Sequence, residues 1–104
     1  MIVQFNTDNN IKGGERLNDY FETTISDALS RFSNQITRIE VHLTDENSSK
    51  EGQKDKRCML EARLEGLQPV AVSSQENTIE QAVKSALDKL KSALDSAIGK
   101  LRSY

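Results

Sequence analysis

The sequence predicts an α+β fold: a four-stranded sheet with both helices packed on one face. Apolar residues recur at every second position in four short stretches and at helical spacing in two longer ones, and each stretch has a polar opposite side. The order is strand, helix, strand, strand, strand, helix, so covering one sheet face with both helices is the economical packing. The 104 residues suffice for one hydrophobic core, and we expect a single domain over residues 1–104.

The first strand is predicted over residues 2–6, where Val3 and Phe5 alternate with Gln4. A helix should follow from near Gly14 to Phe32. We interpret Gly13-Gly14 as a turn because no glycine-rich phosphate-binding motif accompanies it. The apolar stripe of this helix consists of Leu17, Tyr20, Phe21, Thr24, Ala28, Leu29 and Phe32, and its aromatic members are expected in the core.

The second strand, over residues 36–44, shows the clearest alternation in the chain. Residues 45–56 contain no apolar side chain and are predicted to be a mobile hairpin connection. A third strand follows over residues 58–65, a turn over residues 66–69, and a fourth strand from Val70. The alternation places His42 on the open sheet face and Cys58 on the core face.

The last helix is predicted over some 22 residues, with an apolar stripe from Ile79 to Leu101. Asn77 is the expected N-cap, with Glu80 three residues later as in a capping box. The neighbouring face carries most of the basic residues of this segment.

Charge and cysteine content limit the classes of function. The net charge is −2 and the isoelectric point is about 5.4, whereas nucleic-acid binders usually present a net basic surface. Cys58 is the single cysteine, so the chain offers no internal disulfide and no zinc cluster. The sequence shows no apolar leader or membrane span. We therefore expect a cytoplasmic protein without a membrane partner, a metal or another cofactor.

The element order, Asn9-Asn10 after the opening strand and the Leu87-Asp88-Lys89-Leu90 turn of the last helix resemble the ribosome hibernation-promoting factor and ribosome-associated inhibitor family, also called sigma-54 modulation proteins. The resemblance runs from Met1 to about Arg102. It implies a fold similar to double-stranded RNA-binding domains, as a short single-domain form. It also implies binding to the small ribosomal subunit in the mRNA and tRNA channel, which silences translation when growth stops.

Ribosomal RNA is held chiefly through phosphate and sugar, so the resemblance implies contacts from basic side chains. The leading candidates are Lys84, Lys89, Lys91, Lys100 and Arg102, and the weaker ones are Lys12, Arg16 and Arg31. The chain departs from the family pattern in its first helix, where acidic and hydroxyl residues replace lysines. An equally open interpretation is a solvated helix face, because Glu80, Lys84 and Asp88, and likewise Lys91 and Asp95, are four residues apart.

A second hypothesis is a protein-binding module that has kept the fold and lost ribosome binding. It would meet a partner or a second copy through the open sheet face or an exposed strand edge. Arg38 and Arg63 on that face are expected either to contact RNA or protein or to pair with Glu40, Glu61 and Glu65 across strands. An enzyme with a small-molecule substrate is not indicated, because His42 has no nucleophile or ligand partner in the pattern.

Overall fold

The computed structural model describes residues 1–7, 14–45 and 55–102. Its elements are β1 (Ile2–Thr7), α1 (Gly14–Ala28), a 3₁₀ helix (Ser30–Phe32), β2 (Ile36–Asp45), β3 (Lys56–Leu64), β4 (Val70–Glu76) and α2 (Ile79–Arg102). The predicted element order and fold class are confirmed. The predicted hairpin connection lies largely outside the described residues, which include only its two ends.

The four strands form one mixed sheet in the order β1-β2-β3-β4. β1 runs parallel to β2, with Phe5 opposite Val41, and the other two pairs are antiparallel. Parallel pairing requires a crossover connection, which α1 provides. The register aligns the apolar positions of neighbouring strands, with Val41 opposite Leu60 and Leu60 opposite Val72.

The core lies between one face of this sheet and the two helices. Ile39, Val41 and Leu60 from the sheet are fully buried, as are Ile25 in α1 and Leu90 in α2. These residues belong to one contiguous cluster, so the described elements share a single core. The apolar faces of both helices and of the strands therefore pack together in this one core.

The start of α2 differs from the prediction. Thr78, rather than Asn77, is the N-cap: its Oγ1 accepts a hydrogen bond from the backbone N–H of Gln81 at 3.1 Å, and its carbonyl accepts one from Ala82 at 3.0 Å. Gln81 is the third helical residue, so the sequence still matches the capping-box pattern, displaced by one residue.

The end of α1 also differs. We predicted one helix reaching Phe32, but α1 ends at Ala28 and the chain tightens into a 3₁₀ helix. The Phe32 N–H bonds the carbonyl of Leu29 at 2.9 Å, three residues back, instead of the carbonyl four residues back. This tighter turn leaves Phe32 only 4% exposed.

The turn between β3 and β4 depends on Gly66, whose φ is +74°. L-residues with a Cβ rarely adopt this left-handed conformation, which explains a glycine here. Within the described residues, no helix has the length and apolar character needed to cross a bilayer.

Candidate nucleic-acid interface

Lys84 and Lys91 lie on the side of α2 that faces away from the sheet. They are seven residues apart and therefore about two helical turns, or roughly 10 Å, apart along one face. The helix is fixed beneath them because Val83, Leu87 and Leu94 are buried in the core. Within the part of the chain that the structure describes, neither ammonium group forms an ion pair.

The predicted pairing of Lys91 with Asp95 is replaced by a long-range pair. The Asp95 carboxylate accepts two hydrogen bonds from Arg31, at 2.8 Å to Oδ1 and 3.0 Å to Oδ2, although the residues are 64 positions apart. The Arg31 guanidinium also stacks over the Phe32 ring at 4.2 Å from its centre. The hydrogen bond from Arg31 lowers the pKa of Asp95, and that to Asp95 raises the pKa of Arg31.

The predicted pairing of Glu80 with Lys84 is also absent from the described residues. Glu80 acts instead on Tyr20 of α1, whose phenol pKa it raises, first through hydrogen bonding and then through its negative charge. Tyr20 is 53% exposed, so the prediction that it belongs to the core is wrong, while Phe21 beside it is 2% exposed. The two rings meet edge to face with centres 5.0 Å apart.

These residues border a groove of about 500 Å³ between α1 and α2. Phe21, Val83 and Leu87 contribute an apolar lining, and Tyr20 is the exposed aromatic ring beside it. Two lysines and two carboxylates complete the charged part of the lining: Lys84, Lys91, Glu80 and Asp88. The groove is therefore neutral in sum, and its unpaired cations stand beside carboxylates.

The other predicted basic residues are placed differently. The Nζ of Lys89 donates a hydrogen bond to the Ser73 carbonyl of β4 at 2.9 Å, so Lys89 binds the sheet and lies outside the groove lining. Arg16 is exposed in the first turn of α1 and makes no ion pair with any described residue. Lys12 lies outside the described residues, as do the side chains of Lys100 and Arg102.

The open sheet face carries a network of ion pairs. Glu40 Oε2 accepts hydrogen bonds from Arg38 and Arg63, each at 3.2 Å, and Arg63 also pairs with Glu61 at 3.5 Å. Of the cross-strand pairs considered for these arginines, the structure shows Arg63 with Glu40; the Arg38–Glu40 pair lies within β2 and the Arg63–Glu61 pair within β3. Their charges are consequently compensated, so this face presents less positive potential than its arginines alone suggest.

His42 and Cys58 occupy opposite faces of the sheet, as predicted. His42 is half-buried on the open face opposite Met59, whereas Cys58 is fully buried and burial raises its thiol pKa to about 12. Among the described residues, no group of three or more His, Cys, Asp or Glu side chains is arranged to hold a metal ion.

At the other end of β2 and β3, Lys56 ties the two strands together. Its Nζ lies 3.0 Å from Asp55 Oδ1 and 3.3 Å from Asp45 Oδ2, and the hydrogen bond to Asp55 is the main cause of its raised pKa. Both carboxylates belong to residues only 8% exposed. This lysine is committed to carboxylates and does not belong to the unpaired cations.

Comparison with known proteins agrees with this architecture. A comparison with curated proteins gave no match. Among solved structures, the crystal structure of the Thermus thermophilus Protein Y N-terminal domain matches with a TM-score of 0.71 at 19% identity, covering 92% of this chain and 98% of that one. A ribosomal subunit interface protein from Coxiella burnetii matches with a TM-score of 0.70 at 13% identity, covering 95% and 99%.

At these identities the two structures establish the shared fold alone. The family assignment comes from the sequence: the model of the family described as Sigma 54 modulation protein / S30EA ribosomal protein matches residues 5–102. That match spans β1 from Phe5 onward, all of the core and α2 to its last described residue. The chain belongs to the Sigma 54 modulation protein / S30EA ribosomal protein family.

Proposed function

We propose that this protein is a cytoplasmic, ribosome-associated translation regulator that binds the small ribosomal subunit and occupies the mRNA and tRNA channel. Membership of a family that includes ribosomal proteins supports this proposal, as does the fold shared with a ribosomal subunit interface protein. The mechanism requires no covalent chemistry, since occupying the space that tRNA needs is enough to inhibit.

The observation that carries the proposal is the pair of lysines on α2 that make no ion pair with any described residue. A lysine already bound to a carboxylate gains little from a phosphate, because it must exchange one anion for another. Lys84 and Lys91 have no such partner among the described residues, and the rigid helix holds both on one face. Each can therefore contact an RNA phosphate and release a counterion without first breaking an ion pair.

The remaining basic residues contribute to this proposal in a graded way. Arg16 is exposed and makes no ion pair with a described residue, so it joins Lys84 and Lys91 without an exchange of partners. Lys89 must leave the Ser73 carbonyl, and Arg31 must share or release Asp95. Lys12, Lys100 and Arg102 remain candidates from the sequence.

The negative net charge sets the strength of binding that we expect. At long range a chain of net charge −2 is repelled by ribosomal RNA, so affinity must come from the local contacts. Each phosphate contact adds roughly 0.7–0.9 to the slope of log K against log salt. Association should accordingly be salt-dependent with a slope set by a few contacts.

The test is co-sedimentation with ribosomes across a salt series. The double variant Lys84→Gln/Lys91→Gln removes two positive charges from α2. The matched control, Asn34→Asp/Gln68→Glu, lowers the net charge by the same amount at exposed positions away from the groove. We expect the lysine variant to bind more weakly, with a slope smaller by roughly 1.4–1.8 for two lost contacts.

The control should lose much less affinity and keep the slope of the wild type. Equal losses in both variants would show that net charge alone matters, which would contradict the α2 assignment. Absence of co-sedimentation at low salt would remove the ribosomal proposal altogether.

A second candidate function is a protein-binding module that no longer binds ribosomes. It is favoured by the open sheet face, where Glu40 and Glu61 compensate Arg38 and Arg63 and leave a surface without a dominant charge. Binding to a protein partner through this face would change little with salt, which separates it from the ribosomal proposal in the same series.

A further inference from the structure

The two edge strands of the sheet, β1 and β4, differ in how their outer sides are covered. At the β4 edge, α2 reaches over the strand and Lys89 Nζ binds the Ser73 carbonyl at 2.9 Å. At the β1 edge, the strand pairs with β2 and no described residue hydrogen-bonds its outer side. The outward N–H and C=O groups of β1 are therefore available to another strand.

The composition of β1 does nothing to oppose such pairing. Its sequence is Ile-Val-Gln-Phe-Asn-Thr, with no charged residue and no proline, and its register with β2 is continuous without a bulge. Charges, prolines and bulges are the usual devices that keep an edge strand from pairing with another chain. A second copy of β1 would meet no like charge on it.

The side chains of β1 also lack full cover. Val3 and Phe5 point to the core side but are only half-buried, whereas their β2 partners Ile39 and Val41 are fully buried. On the other face, Ile2 is 65% exposed. Apolar surface beside an unpaired strand edge is covered when another strand extends the sheet.

We propose that β1 pairs antiparallel with β1 of a second copy, about a two-fold axis at Gln4, to form a continuous eight-stranded sheet across the dimer. In this register Val3 of each copy lies opposite Phe5 of the other, and Ile2 lies opposite Asn6. A shift by one residue would turn these apolar side chains to the wrong face, so only registers that keep Val3 and Phe5 on the core side are compatible.

The symmetric register makes the two Gln4 side chains direct neighbours across the axis. Because only five residues of each strand pair, the contact buries far less than the roughly 1,600 Å² of a standard interface. The dimer should therefore be weak and visible only at high protein concentration. Neither argument uses the ribosome, so this proposal stands or fails independently of the proposed function.

The test uses charge at position 4, measured by sedimentation velocity over a concentration series. Gln4 is exposed, so Gln4→Lys and Gln4→Glu should fold, and each should weaken self-association by roughly fivefold because like charges face each other across the axis. An equimolar mixture of the two variants should restore dimers, because lysine then faces glutamate. Ala71→Lys, on the exposed face of β4, is the matched control and should dimerise like the wild type.

Hydrogen exchange gives a second readout that does not depend on the variants. Raising the concentration of the wild type should slow exchange of the outward β1 amides and leave those of β4 unchanged. A wild type that stays monomeric into the millimolar range would overturn the proposal. A dimer that Gln4→Lys does not weaken, or that the mixture does not restore, would also overturn it.

Discussion

At the scale of single residues, the ends of the elements depend on individual hydrogen bonds. Thr78 starts α2 because its side-chain oxygen accepts the Gln81 N–H at 3.1 Å, a donor that the helix itself leaves without a partner. Asn77, one residue earlier, has the same chemical capacity but lies one position outside the helix. Asn77 is the predicted cap, but threonine is also a capping residue, and only the backbone path decides which of the two neighbours caps the helix.

Replacing Thr78 with alanine should therefore destabilise the protein by about 1 kcal/mol, within the range of roughly 0.5–2 kcal/mol for a lost N-cap. Urea unfolding measures this as a lower midpoint at an unchanged slope. Asn77→Ala is the matched control and should cost less. A larger loss from Asn77→Ala than from Thr78→Ala would show that the cap is misassigned.

The Arg31–Asp95 ion pair should make the stability of the folded protein depend on pH. Since the folded protein lowers the pKa of Asp95 from its ordinary value of 3.8, the pair's contribution to stability is fully present above that value. It is lost as the pH falls through the lower pKa of the folded state, whereas Arg31, with its raised pKa, stays charged throughout.

The gap in thermal stability between the wild type and Asp95→Asn should accordingly narrow as the pH falls through this acidic window. Asp88→Asn, on the same helix, controls for the change of net charge. A gap that keeps its neutral-pH size at the acidic end would contradict a charged Arg31–Asp95 contact.

The same pair shows where residue-level prediction from the sequence stops. Helical spacing correctly brings Lys91 near Asp95 on one helix but cannot reveal Arg31, which lies 64 residues away and arrives from the 3₁₀ helix. Tyr20 is a similar case. A tyrosine on an apolar helical stripe can be buried in the core or can lie at its exposed edge, and the spacing is the same in both cases. Its exposure depends on how α1 packs against α2, and this tertiary contact cannot be read from local periodicity.

At the scale of elements, periodicity predicts the fold well. Strands β2 and β3 alternate between buried and exposed positions as the sequence indicates, because each has one face on the core. Predicted and observed bounds of β2 differ by a single residue, at Asp45. The 3₁₀ helix is the exception, since the change from hydrogen bonds four residues apart to bonds three residues apart leaves the apolar spacing almost unaltered.

Helix α2 gives the sharpest test of packing. Leu94 is fully buried in the core, so Leu94→Ala should destabilise the protein by about 2–5 kcal/mol through lost burial and the cavity that remains. Ser92→Ala, on the exposed face of the same helix, should change stability by no more than roughly 0.5 kcal/mol. Urea unfolding of both variants measures the difference, and similar losses would contradict the orientation of α2.

At the scale of the whole molecule, charge is distributed more favourably than its sum suggests. The net value of −2 predicts poor binding to a polyanion. However, several of the described carboxylates already form ion pairs: Asp95, Glu40 and Glu61 with arginines, and Asp45 and Asp55 with Lys56. Because Asp95 binds Arg31, Lys91 lacks the partner that helical spacing suggests, and Lys84 likewise makes no ion pair with a described residue. A residue count cannot reveal this partition, because it depends on tertiary contacts.

Sequence reveals the family, although it does not reveal which charges are paired. The order of elements and a few short matches indicated the family, and the family model extends over residues 5–102. The position of individual phosphate contacts does not follow from that assignment, because this chain carries acidic and hydroxyl residues along α1 where basic ones were expected. Those contacts have to be found by substitution.

The parallel pairing of β1 with β2 has a consequence for folding during synthesis. β1 leaves the translating ribosome before its partner, Ile36–Asp45, which emerges only after the whole of α1. The antiparallel strands that follow are neighbours along the chain and close over short separations, so they should assemble sooner than the distant first strand. We therefore expect β1, although it is synthesised before the other described strands, to be among the last elements to dock in the folded domain.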